Sequence, residues 1–171
     1  MSILDEVLDQ CPQYYHRYIR LVGSEDPILI MESQSEELEE FVGSIEPNNY
    51  ASTYADGKWT IKEVIGHMLD VERVFGYRAL AFSRGDKTML AGFEQDDYVT
   101  NADYNNRAME ELLEEFYHLR QANIILFKNI TEEQLEFVGN ASGNKMSLKA
   151  LSYIIPGHVM HHMNVIESKY L

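Results

Sequence analysis

Three of the chain's six histidines fall in one stretch, Ser152-Tyr153-Ile154-Ile155-Pro156-Gly157-His158-Val159-Met160-His161-His162-Met163-Asn164-Val165-Ile166. His158 and His162 stand four residues apart. On a helix, residues at that spacing share a face, with Cβ atoms roughly 5–6 Å apart. Both also continue an apolar stripe formed by Leu148, Leu151, Ile155 and Val165, so both imidazoles are expected to point into the core. Buried imidazoles are costly unless their ring nitrogens find partners. A divalent cation is one such partner and neighbouring polar groups are another, and the pair alone is compatible with either. His67 is the candidate third ligand: it lies three residues after Val64 and four before Val71, at the edge of a second apolar stripe. Three neutral nitrogen ligands with an open fourth position is the pattern of a catalytic rather than a structural zinc site. Helical bundles carry such ligands on facing helices, pointing inward. His161 is one position off the stripe and is expected beside the site or near the surface. The isolated His16 and His118 read as core histidines satisfied by neighbours.

The pair is not the metalloprotease motif His-Glu-x-x-His, because Val159 stands where that motif places its general base. A hydrolytic reaction would take its base from elsewhere. Glu63 and Asp70 each lie about one turn from His67. For each, a plain surface acid is the first reading; the alternatives are a candidate base or an acceptor for the second N–H of His67. No phosphate-cradling glycine motif and no nucleophile elbow is found. Cys11, the single cysteine, precedes a proline and is assigned no catalytic role.

The elements that must position these residues are helical. Residues 1–24 read as a helical lead-in with an aromatic cluster, Tyr14, Tyr15 and Tyr18, ending in a break at Gly23. Asp26 followed by Pro27 is an N-cap and first-turn pair, predicting a long helix to about Ser44. After a loop closed by Trp59, Thr60 and Glu63 form a capping box for a second helix, which runs to about Ser83 and carries His67. A connection over 84–104 crosses the bundle end or shapes a site. A third helix is expected from Asn105 to Asn129. Thr131 opens a short helical turn, 140–144 is a loop, and Ser147 caps a fourth helix that ends near Tyr170. Pro156, inside that helix, is expected to bend it. No alternating strand pattern is evident. Four long amphipathic segments predict an all-α four-helix bundle in a single domain spanning 1–171.

Composition narrows the partners. The chain has 171 residues, enough for one well-packed core without disulfides. Its formal net charge is −14, with 14 Lys and Arg scattered among 28 acids, which argues against nucleic acid and anionic membranes as partners. No apolar run approaches the roughly 20 residues of a membrane span. The start, Met1-Ser2-Ile3-Leu4-Asp5-Glu6, does not read as a signal peptide, and one cysteine fits a reducing compartment, so a cytoplasmic location is expected.

Several motifs together resemble the DinB/YfiT-like superfamily. They are Trp59-Thr60-Ile61-Lys62-Glu63-Val64-Ile65-Gly66-His67, Glu72-Arg73, Gly92-Phe93-Glu94-Gln95-Asp96-Asp97-Tyr98, Leu119-Arg120 and Gly157-His158-Val159-Met160-His161-His162. The resemblance covers about residue 25 to the end. It implies an up-down-down-up bundle with a long crossover between helices 2 and 3. It also implies a divalent metal, zinc or nickel, held by His67, His158 and His162. Pro156 departs from the small residue expected before the Gly-His pair. Members of known activity include transferases that activate bacillithiol, mycothiol or glutathione at the metal, and a mycothiol-dependent isomerase; others are classed as metal-dependent hydrolases. The resulting expectation is a metal-dependent transferase using a low-molecular-weight thiol against an electrophilic small molecule. The alternatives are a hydrolase using metal-bound hydroxide and a non-catalytic, stress-related metal-binding protein. A homodimer is compatible with a bundle that has spare apolar helix faces.

Overall fold

The computed structural model describes residues 2–171, and Met1 of the expected lead-in lies outside them. The helices are α1 (Ile3–Asp9), α2 (His16–Val22), α3 (Pro27–Gly43), α4 (Ile61–Ser83), α5 (Gln95–Ala102), α6 (Met109–Lys128), α7 (Glu132–Leu135) and α8 (Leu148–Lys169). The long helices α3, α4, α6 and α8 form an up-down-down-up four-helix bundle, with a crossover between α4 and α6. Capping chemistry sets the key boundaries. The Thr60 hydroxyl accepts from the Glu63 backbone N–H at 3.1 Å, and the Glu63 carboxylate accepts from the Thr60 N–H at 2.8 Å, which fixes the start of the helix bearing His67. Asp26 caps α3 through the Ile28 N–H at 2.8 Å, with Pro27 in the first turn. Ser147 caps α8 through the Ala150 N–H at 2.9 Å.

The structure differs from the sequence reading in the start of one helix, in an added helix, α5, within the 84–104 connection, and in three strands. The third long helix starts at Met109 rather than Asn105. Asp103 takes a left-handed conformation (φ 52°), and the side chains there are engaged elsewhere: Asn105 bonds Thr60 and Glu63, and Asn106 bonds Asp103. Such side-chain bonds compete with helix initiation. The structure also contains strands where none was expected: β1 (Met89–Leu90), β2 (Val138–Ala141) and β3 (Asn144–Ser147). β2 and β3 form a hairpin, and β1 adds in parallel to β2 with Leu90 opposite Ala141. Two- and four-residue strands are too short to show an alternating pattern. The local signal was the turn, Ser142-Gly143, both residues at positive φ (55° and 74°), as a two-residue hairpin loop requires.

The core divides into two apolar clusters, and on every bundle helix the change-over falls at a polar residue. It lies between Met31 and Leu38 on α3, around Gln34, and between Phe116 and Ile124 on α6, around Arg120. On α8 it lies between Ile155 and Val159, around His158; on α4 it lies between Leu69 and Val71, beside Glu72. A buried polar layer therefore crosses the bundle at the level of the histidines. Helix α8 runs through Pro156 without interruption. Among the described residues, no helix is long and apolar enough to cross a membrane.

Candidate metal centre

Helices α4 and α8 bring His67, His158 and His162 together. The Nε2 atoms of His67 and His158 are 3.1 Å apart, those of His158 and His162 are 3.0 Å apart, and one nitrogen from each ring lies within 4.8 Å of the others. The rings meet edge to face, with centroids 4.4–5.0 Å apart. Each neutral imidazole carries one N–H, so three Nε2 atoms facing one another do not close a hydrogen-bond network among themselves. Three lone pairs aimed at one point do suit a cation. Tetrahedral zinc with bonds of about 2.0–2.1 Å holds its ligand nitrogens roughly 3.3 Å apart, close to the observed spacings. His67 and His158 are buried and His162 is half-buried. Burial pushes the His67 imidazolium down to about 4, and burial with the neighbouring rings pushes His158 and His162 well below the usual histidine range. The rings are thus held neutral, the form that binds metal.

A close helix contact fixes one side of the site. Gly157, next to His158, lies against the Tyr18 backbone of α2: a Cβ at Gly157 would fall 2.2 Å from the Tyr18 carbonyl oxygen. Glycine here lets α2 lean on α8, and the Tyr18 ring then packs 5.3 Å from the rings of both His158 and His161. The indole of Trp59 sits 4.9 Å from His67. On the other side His67 and His158 open into a cavity of about 310 Å³, whose wall includes Tyr15, Phe75, Arg78, Phe93 and Ser142. That is the small end of the usual range for ligand pockets, roughly 300–1,000 Å³. The lead-in thus supplies part of the cavity wall, a role that the sequence reading did not give it.

The model of the DinB superfamily matches residues 30–166. The chain belongs to the DinB superfamily. Among curated relatives, "Putative metal-dependent hydrolase OB0413" of Oceanobacillus iheyensis is 24% identical over 136 residues, covering 78% of this chain and 77% of the relative. A "Putative metal-dependent hydrolase" of Geobacillus thermodenitrificans is 26% identical over 131 residues, covering 74% and 72%. Among solved structures, the fold is shared with YfiT from Bacillus subtilis, described as a probable metal-dependent hydrolase with an unusual four-helix bundle topology. The TM-score is 0.76, with 17% identity and 82% of each chain covered.

Behind the histidines of this DinB chain lies a network that sequence reasoning did not identify. Arg120, fully buried, donates from Nε to Glu72 Oε1 at 2.8 Å and from Nη2 to Oε2 at 3.0 Å. Its Nη1 donates to the Gln34 side-chain oxygen at 2.5 Å. The Gln34 amide donates to the Pro156 carbonyl at 3.0 Å, and Asn123 donates to Glu72 at 3.0 Å. All four bundle helices are tied two residues before His158. A signal existed: Arg120 lies four after Phe116 and four before Ile124, and Gln34 three after Met31 and four before Leu38, all on buried phases.

Other expectations need correction. Neither Glu63 nor Asp70 orients His67. Glu63 is used by its capping box and by Asn105, and Asp70 accepts from the Tyr104 hydroxyl at 2.8 Å. The His67 Nδ1 is buried with no partner among the described residues. His118 is an exposed surface residue, beside Glu114, and not a core histidine. His16 is half-buried, with a buried Nε2 that also lacks a partner among the described residues. His161 is half-buried beside His162, as expected.

Proposed function

We propose that this protein is a metal-dependent enzyme acting on a small molecule, with His67, His158 and His162 as the ligands of a divalent cation and the adjoining cavity as the substrate site. The observation that carries this reading is the convergence of three neutral imidazoles, two of which, His67 and His158, are buried and line that cavity. A bound zinc or nickel ion supplies Lewis acidity there, drawing the pKa of a thiol or a water towards neutrality. The chain's own residues do the rest. The polar layer of Gln34, Glu72 and Arg120 holds α8 at the level of His158, Tyr18 and Trp59 shield the rings, and Phe75 and Phe93 offer apolar surface to a ligand.

Among reactions, transfer of a low-molecular-weight thiol to an electrophile is the first reading. Val159 supplies no base, Glu63 is engaged by Thr60 and Asn105, and Asp70, bonded through Oδ1 to Tyr104, does not line the cavity. A thiol ionises more readily than water and has less need of a base. Hydrolysis is the second reading. It is favoured by Glu94 and Asp96, which line the cavity mouth and are free to serve as bases, and by the names of the curated relatives. The two separate in one assay series on zinc- and nickel-loaded protein. Thiol transfer requires consumption of monobromobimane with glutathione or bacillithiol at a rate lost in His158→Ala. Hydrolysis requires p-nitrophenyl ester turnover without thiol, also lost in that variant. Absence of both would overturn the enzymatic reading.

A further inference from the structure

The protein buries two arginines, and they are treated differently. Arg120 faces a carboxylate in a bidentate pair. Arg78, only 2% exposed, makes no salt bridge among the described residues. Its Nη2 donates to the Ser142 hydroxyl at 2.8 Å and to the Ala91 carbonyl at 3.3 Å, and the Tyr15 hydroxyl also lies against the guanidinium, all of them neutral partners. A buried cation without an anion carries an uncompensated desolvation penalty, unless a ligand completes it.

The surroundings hold this cation in place. Ser142 is the first turn residue of the β2–β3 hairpin, and its backbone N–H donates to the Leu90 carbonyl at 3.0 Å, just before Ala91. The three short strands therefore form a clamp on one guanidinium. The other face of Arg78 lies 5.3 Å from the centre of the Phe75 ring, and Phe75 in turn lies 6.3 Å from the His158 ring. Arg78, Phe75, His67 and His158 all line the same cavity. One apolar ring thus separates a fixed cation from the histidine cluster.

We infer that Arg78 is the anchor for a small organic monocarboxylate, whose apolar body lies along Phe75 and Phe93 and whose far end reaches the histidines. A carboxylate is favoured over a phosphate dianion because Glu94 and Asp96 stand at the cavity mouth, where each further negative charge on a ligand is repelled. The inference names the substrate class for the proposed active site. It rests on that cavity being the substrate site, but not on the metal.

The test uses metal-free, chelator-treated full-length protein at pH 7.5, where no metal ion can attract the probe. The probes are 3-phenylpropanoate and its uncharged amide, 3-phenylpropanamide, titrated by calorimetry. The wild-type protein is expected to bind the acid about ten-fold more tightly than the amide, as a charge-assisted bond implies. Arg78→Gln is expected to reduce that preference to about two-fold or less. If Arg78→Gln does not fold, ¹⁵N NMR of the wild-type arginine side chains gives the same answer: one buried Nε–H resonance should shift saturably with the acid and not with the amide. Equal affinity for the two probes, binding of neither, or a preference unchanged by Arg78→Gln would overturn the inference. Because no metal is present, a carboxylate preference that survives alongside a failed metal-binding experiment would leave the anchor standing while the metal reading falls.

Discussion

Two polar assemblies lie at the same level of the bundle and differ in saturation. In the Glu72–Arg120–Gln34–Asn123 network, donors meet acceptors across all four helices, and charge meets charge. In the cavity a few residues away, three imidazole nitrogens face one another, a ring nitrogen of His67 has no partner, and the Arg78 guanidinium has no anion, among the described residues. The first arrangement is what a structural polar core looks like, since a buried polar group must be paired to be tolerated. The second holds polar groups without protein partners among the described residues, and under the proposed function these are the groups that meet metal and substrate. On the proposed function, the contrast separates residues that hold the fold from residues that carry the chemistry.

Breaking the saturated side should have the largest effect. Arg120→Ala or Glu72→Ala leaves a buried charge alone and is expected to destabilise the protein by about 3–5 kcal/mol in urea unfolding. The double replacement Glu72→Leu with Arg120→Met removes both charges and is expected to recover most of that loss. On the unsaturated side, alanine at His158 should cost the metal-free protein less. What it should abolish is stabilisation by zinc, which at a free concentration 1,000 times Kd amounts to about 4 kcal/mol in the wild type. A rise in melting temperature on zinc addition in the wild type, absent in the variant, is the readout. Smaller again is Gly157→Ala, whose Cβ forces α2 away from α8. It is expected to destabilise by about 1–3 kcal/mol and to weaken zinc binding through displaced Tyr18 and His158. The control is His118→Ala on the exposed face of α6, expected to change stability by less than about 0.5 kcal/mol and zinc affinity not at all. A large effect there would undo the division between the two assemblies.

The helices that carry the histidines were legible in the sequence because their signals are local. The Thr60–Glu63 box, the Asp26–Pro27 start and the Ser147 cap mark three of the four bundle helices, and helical phase placed His67, His158 and His162 inward. The support around them was harder to read. Glu72, Arg120 and Arg78 are charged types normally found at the surface, and only their position on buried helix phases betrays them. The clamp on Arg78 depends on strands of two and four residues whose pairing spans some 50 positions, with nothing local to announce it beyond the Ser142–Gly143 turn. The Tyr14–Tyr15–Tyr18 cluster was visible as composition, but its place beside the histidines follows from the packing of Gly157 against Tyr18.

X-ray absorption at the zinc edge of protein loaded with one equivalent of zinc tests the central claim most directly. Three imidazole nitrogens at about 2.0–2.1 Å from the metal are expected, one fewer in each of His67→Ala, His158→Ala and His162→Ala. A shell built from carboxylate oxygens or sulfur, or a spectrum unaltered by His67→Ala, would contradict it.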